Sequence, residues 1–402
     1  MIKVNEMVIK ALNDQGKGIT YLNNKIVFVD NALPGEDAEI KVTKETSKYL
    51  LGTVTKYIKT SPQRVKPLCP YFAECGGCQL FNLNYAATIK YKEEKLMNIL
   101  NKFANITYPV KVITNEHNLN YRNKITLKIK GGKVGYFKEK SQEIVEVKEC
   151  LVASKAINAF IPYIPSFNIL NGEVVIRSNY NDELLINFIT DDPLILPKMP
   201  PLKIVGILKN GQILKGEDKF MELIDNHFYQ ISYDSFFQIN PYITSKLFKI
   251  INEHIIPNSN VLDLYCGVGT LGLSLTSVKN LYGIEVVPNA IINALTNAKI
   301  NQKPNAKYLL GDVSEVINKI TDQIDVIIID PPRVGLDKKT INTIIAIKPK
   351  QIIYVACDPI TLARDLKELM VYYQIDYLTG LDMFSYSYHV ECCSVLHHKI
   401  IE

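Results

Sequence analysis

Cys357 is the residue best placed for covalent chemistry. It closes the run Tyr354-Val355-Ala356-Cys357-Asp358-Pro359, an apolar segment that reads as a buried strand running into a turn. Open α/β sheets receive their ligands at the carboxyl ends of strands, so a thiol there is placed to meet one. As a thiolate it would be a nucleophile. The plainer alternative is a packed core thiol, and Cys266, Cys392 and Cys393 are read that way, as structural. A covalent cycle also needs a base that removes a proton before sulfur can leave. Ser387-Tyr388-His389-Val390-Glu391 offers two, Glu391 first and His389 second.

A second set of residues has the order of a cofactor site. Val261-Leu262-Asp263-Leu264-Tyr265-Cys266-Gly267-Val268-Gly269-Thr270 is an apolar strand, a glycine-rich turn and a helix start. Gly267 and Gly269 would let backbone approach a ligand closely. About twenty residues on, Glu285 ends the next apolar run, where an acid can hold ribose hydroxyls. Leu310-Gly311-Asp312 offers an acid near a base-binding position, and Ile327-Ile328-Ile329-Asp330-Pro331-Pro332-Arg333 puts another at a strand end. A dinucleotide site would explain the turn and Glu285 but not Asp330-Pro331-Pro332 or the later cysteine. The ordering resembles class I S-adenosylmethionine-dependent methyltransferases.

A third set is Cys69-x5-Cys75-Gly76-Gly77-Cys78, three thiols within ten residues, with Cys150 available as a fourth. Four thiolates suit zinc or an iron–sulfur cluster, and this spacing departs from the paired CxxC of zinc ribbons. With no export signal at Met1-Ile2-Lys3-Val4-Asn5-Glu6, a disulfide framework is not expected.

The elements that must position these residues fall into three blocks. Residues 1–58 read as short alternating strands with turns at Gly16-Lys17-Gly18 and Pro34-Gly35, a small β-barrel pattern. Residues 84–103 have helical spacing, with Ile89, Leu96, Ile99, Leu100 and Phe103 on one stripe. Residues 120–240 return to strands. From about 243 helices alternate with apolar runs, which implies a parallel sheet covered on both faces. The net charge of +5 is uneven: residues 61–150 carry 15 basic and 8 acidic side chains, residues 151–402 carry 22 and 26. A basic block suits contact with a polyanion. No apolar run is long enough to span a bilayer, so a cytoplasmic protein is expected.

Together these residues resemble the bacterial RNA (uracil-5-)-methyltransferase family, in particular its 23S ribosomal RNA branch, over nearly the whole chain. The resemblance implies an α/β fold: a Rossmann-like class I methyltransferase domain, an N-terminal TRAM β-barrel and a central α+β RNA-binding domain carrying an iron–sulfur cluster. The expected domains are the TRAM barrel at 1–58, the central domain at 59–82 and 105–240, and the catalytic domain at 83–104 and 241–402. Cys69, Cys75, Cys78 and Cys150 would ligate a 4Fe-4S cluster. Tyr121-Arg122-Asn123-Lys124 and Gly135-Tyr136-Phe137 with Ile144-Val145-Glu146 resemble the central RNA-binding domain. Gln238, in Phe236-Phe237-Gln238-Ile239-Asn240, with Tyr265, Glu285 and Asp330, would bind S-adenosylmethionine. Cys357 falls at the family's nucleophile and Glu391 at its base. Asp358 stands where asparagine is common, Ala356 where serine is, and Phe81 where the family often has glutamine.

What this implies is addition of the Cys357 thiolate to C6 of a uridine, which turns C5 into an enolate-type carbon able to take a methyl group. The uridine must leave its stack to reach the thiol. The expected partner is structured RNA, 23S ribosomal RNA first, acted on by a monomer away from membranes. The rival readings are the same chemistry on transfer RNA and a non-catalytic iron–sulfur RNA-binding or redox-sensing protein.

Overall fold

The computed structural model describes residues 4–72, 74–139 and 141–399. The chain forms two compact units, one of residues 1–95, 136–145 and 384–388, the other of residues 96–135, 146–383 and 389–402.

The first unit is built on a six-stranded sheet: β1 (Val4–Val8), β2 (Ala11–Leu12), β3 (Gly18–Leu22), β4 (Lys25–Asp30), β5 (Asp37–Glu45) and β6 (Tyr49–Lys59), in the order β1-β5-β6-β4-β3-β2. Alternate residues point inward, so Ile9, Val27, Val29, Ala38 and Ile40 make one buried cluster. Glu36 is fully buried beside it. Arg64 grips both its oxygens, and the Leu33 and Ser61 N–H groups donate to them at 2.8 and 3.2 Å. Helix α1 (Tyr85–Ala104) follows. Its Leu96, Ile99 and Leu100 are buried as expected, but Phe103 is 40% exposed, and Lys92 and Lys95 are buried instead.

Two larger sheets follow in the chain. One, in the order β10-β9-β8-β11-β12-β13-β14, takes in β8 (Lys124–Lys130), β9 (Lys133–Phe137), β10 (Ile144–Glu146), β11 (Asn171–Ser178), β12 (Leu184–Ile189), β13 (Ile204–Lys209) and β14 (Gln212–Gly216), with helix α2 (Lys155–Phe160) between β10 and β11. A hairpin of β15 (Lys219–Ile224) and β16 (His227–Ser232) leads through Gln238 to α3 (Pro241–His254).

The other sheet has eight strands, ordered β19-β18-β17-β20-β21-β23-β22-β7. β7 is Val112–Ile113, β17 Ser259–Leu264, β18 Val278–Glu285, β19 Ala306–Leu310, β20 Val326–Ile329, β21 Gln351–Ala356, β22 Tyr373–Leu381 and β23 Glu391–His398. Helices α4 (Thr270–Leu273), α5 (Pro288–Ile300), α6 (Val313–Val316), α7 (Lys338–Ile347) and α8 (Pro359–Leu369) connect them. β17 to β21 are mutually parallel, and every residue of β20 and β21 is buried, as a strand covered on both faces requires. The wholly parallel sheet expected from the alternation is extended by β23, antiparallel to β21 and β22. Strand order reverses between β17 and β20, and a crevice opens at such a switch point.

Candidate active site

Cys357 and Glu391 meet because of strand register. β21 runs antiparallel to β23, with Gln351 opposite His397 and Ala356 opposite Cys392. One step further along both strands stand Cys357 and Glu391. Cys357 is half-buried, just before the first turn of α8, and Asp358 caps that helix by accepting from the Ile360 and Thr361 N–H groups at 2.9 and 3.1 Å. An asparagine would cap equally well. Ala356 is buried in the strand.

Glu391 is 3% exposed, unlike the usual glutamate near a chain end. Desolvation pushes its carboxyl well above the ordinary carboxylate range, Asp330 pushes it further, and Arg333 opposes both. The same groups act on Cys357: desolvation and the Glu391 charge raise its thiol to about 11, Arg333 pulls it down, and Asp330 adds to the rise. Asp330 itself is raised to about 7 by desolvation, held back by the Gln238 amide, which donates to its Oδ2 at 3.0 Å. Burial thus favours the neutral forms of both the thiol and the buried acid, and Arg333 opposes it at each. Arg333 has only one mark in the sequence, a basic residue directly after Asp330-Pro331-Pro332.

At the switch point the turn after β17 is shaped for a ligand. Tyr265 takes a left-handed backbone conformation (φ 62°), rare for an aromatic residue, and its phenol hydrogen-bonds Thr340. Gly267 has φ 55°, and a Cβ there would meet nothing within 4 Å. Glu285 accepts from the Gly267 N–H at 3.0 Å and from the Val286 and Val287 N–H groups at 2.8 and 3.0 Å, so one carboxylate organises the rim. Beneath lies Asp263, 1% exposed, raised to about 8 by desolvation. Its Oδ2 accepts from the Gly272 N–H at 3.0 Å, which fixes the start of α4. An open glycine cradle ringed by Glu285 and, across the switch point, the Gln238–Asp330 pair fits a nucleoside-bearing cosubstrate. Asp312 is exposed at the end of β19.

Cys266, Cys392 and Cys393 are buried, and burial raises the Cys393 thiol to about 12 and pushes the Cys266 thiol well up too, as inert core thiols should behave. The metal expectation fares differently. Cys69, Cys75, Cys78 and Cys150 are each half-buried, yet among the described residues no three histidine, cysteine, aspartate or glutamate side chains converge as a metal site. The Gly76-Gly77 wrap brings the Gly77 N–H to the Cys75 sulfur at 3.4 Å. Arg122 and Lys124 are part-buried at the start of β8, where the Arg122 Nε donates to the Lys124 carbonyl at 2.9 Å.

Residues 202–399 match the tRNA (uracil-5-)-methyltransferase family and residues 3–55 the TRAM domain. An uncharacterized RNA methyltransferase of Clostridium tetani is 32% identical over 433 residues, spanning 96% of this chain and 94% of the relative. Another, of Aquifex aeolicus, is 33% identical over 425 residues, 98% of each. The crystal structure of Pyrococcus abyssi tRNA (uracil-54, C5)-methyltransferase in complex with S-adenosyl-L-homocysteine superposes with a TM-score of 0.81 at 29% identity, over 98% of this chain and 100% of that one. The family match, the relatives and the structural likeness make this chain an S-adenosylmethionine-dependent RNA methyltransferase. More narrowly, the chain belongs to the RNA (uracil-5-)-methyltransferase family and carries its TRAM domain. Among the described residues no helix is long and apolar enough to cross a membrane.

Proposed function

We propose that this enzyme methylates C5 of a uridine in 23S ribosomal RNA through a covalent adduct between Cys357 and C6, with Glu391 as the base that resolves it. The observation that carries the reading is the register of β21 against β23, which brings a thiol and a buried carboxyl to adjacent strand ends. Gln238, Tyr265, Glu285 and Asp330 hold the cosubstrate at the switch point. S-adenosylmethionine supplies the methyl group and carries a sulfonium charge.

Before the cosubstrate enters, burial favours the thiol form of Cys357. A cation entering beside Asp330 favours the ionised forms of Asp330, Glu391 and Cys357 alike, and Arg333 acts in the same direction. The nucleophile therefore becomes competent when the site is filled. Once the Cys357 sulfur is bonded to C6 it bears no charge, which relieves Glu391 of one like-charged neighbour. The enolate carbon C5 displaces the methyl group from the sulfonium, and S-adenosylhomocysteine leaves. Glu391 then takes the remaining C5 proton, the C5–C6 double bond re-forms and the Cys357 sulfur departs as thiolate.

Ribosomal RNA as substrate is supported by the TRAM barrel together with the cysteine segment. One observation favours a second reading, transfer RNA. The Pyrococcus abyssi enzyme, a tRNA methyltransferase by name, matches over its full length, so the barrel architecture alone does not select the RNA. The 4Fe-4S cluster at Cys69, Cys75, Cys78 and Cys150 is supported by cysteine spacing and not by geometry. Iron and acid-labile sulfide in anaerobically purified protein test it, and colourless protein with one zinc excludes it. Incubation with labelled S-adenosylmethionine and total RNA tests the substrate. Label in 23S RNA is expected, and label confined to transfer RNA installs the second reading.

A further inference from the structure

Glu391 opens β23, directly after a loop. β22 ends at Leu381, β23 starts at Glu391, and the two residues pair across the strands. Between them runs a loop, residues 382–390, longer than the two to five residues usual in a hairpin. Tyr386, at its tip, is held at φ 61°, a conformation an aromatic residue keeps only when its surroundings impose it.

The restraints come from residues 79–95. The Tyr386 carbonyl accepts from the Gln79 and Leu80 N–H groups at 3.1 and 2.9 Å. Its ring stacks on Phe81 at 4.1 Å between centroids and 7° between planes. From α1, the Lys92 ammonium donates to the Phe384 carbonyl and the Lys95 ammonium to the Tyr388 carbonyl, each at 2.9 Å. Lys95 also lies 5.0 Å from the centre of the Tyr388 ring. Lys92 is fully buried and Lys95 is 8% exposed. An ammonium is costly to bury, and leucine or methionine would fill the same helix face without that cost. Each lysine here brings a donor at the end of a long stem to a carbonyl of this loop.

We propose that Lys92, Lys95 and Phe81 are positioning residues for catalysis: by fixing the carbonyls and the ring of residues 384–388 they set the backbone from which Glu391 enters the site. This rests on Glu391 being the resolving base. The step they serve is proton removal from C5, so their loss should slow resolution of the adduct more than its formation.

The test uses full-length protein, uridine-containing RNA transcripts and labelled S-adenosylmethionine. Lys92→Met with Lys95→Met keeps the stems and removes the donors; Phe81→Leu removes the stack separately. First-turnover methyl transfer and S-adenosylmethionine affinity are expected to stay near wild type. Steady-state kcat should fall about tenfold or more, the scale of a misplaced catalytic group, while a methylated RNA–protein adduct accumulates on denaturing gels. Loss of cosubstrate binding and first turnover in parallel, without adduct, overturns the proposal in favour of a general structural role, as does unchanged kcat in both variants. Glu391→Gln is run beside them. If it traps adduct and the lysine and phenylalanine variants do not, the positioning role fails alone; if it traps none, the base assignment falls and the proposal with it.

Discussion

Desolvation and the neighbouring acid hold Cys357 as a thiol at about 11, two units above its ordinary value of 9.0. At pH 8 the ionised fraction falls from about one in ten to about one in a thousand, so alkylation should be about a hundredfold slower than at an unperturbed thiol. The assay is iodoacetamide labelling read by mass spectrometry on the peptide that contains Cys357, which separates it from the other seven cysteines. The rate should climb about tenfold per pH unit up to pH 10 without a plateau. Arg333→Gln removes the cation that lowers the thiol and should slow labelling. S-adenosylmethionine should accelerate labelling, and S-adenosylhomocysteine, which lacks the sulfonium charge, should not. A plateau by pH 9 in the empty enzyme would refute the reasoning that the resting site keeps its nucleophile protonated.

Three further outcomes follow from the same structure. Gly267→Ala places a methyl group where the protein leaves open space; calorimetry should show at least about tenfold weaker S-adenosylmethionine binding, with a stability loss of only about 1–2 kcal/mol from the left-handed backbone, and unchanged affinity would show that the cradle does not meet the cosubstrate. Arg64→Met strands the fully buried Glu36 carboxylate and should cost about 3–5 kcal/mol in urea unfolding, much of it recovered by adding Glu36→Gln; a loss below about 1 kcal/mol contradicts this. Glu222, 1% exposed, is raised from 4.5 to about 7 by desolvation. A carboxyl raised on folding contributes stability at low pH that is lost as pH rises from about 4.5 through 7, here about 3 kcal/mol. Glu222→Gln should flatten that slope, and an unchanged slope would show that Glu222 does not cause it.

Much of the catalytic sheet was legible in the sequence, because parallel strands buried on both faces leave uninterrupted apolar runs. Glu285, Asp330 and Cys357 each end such a run, so their placement at the carboxyl edge could be read directly. Glu391 could not be placed that way. It begins a strand, and its neighbourhood depends on β23 reversing direction beside β21, a long-range pairing with no local signature. Lys92 and Lys95 were hidden for the opposite reason: periodicity assigns lysine to solvent, and only the tertiary course of loop 382–390 turns them inward. Phe103 was drawn into the apolar stripe by spacing, but the last turn of α1 leaves it exposed. Cysteine spacing suggested a four-ligand metal site, but spacing constrains only the chain between ligands and not their convergence in space.

The central claim is that methyl transfer proceeds by addition to C6 and loss of the C5 hydrogen. It is tested most directly with RNA carrying tritium at uridine C5 and S-adenosylmethionine labelled in its methyl group. The account predicts one tritium released to water for each methyl group fixed as 5-methyluridine, with both signals abolished by Cys357→Ala. Methyl incorporation without tritium release, or methylation that survives Cys357→Ala, would contradict it.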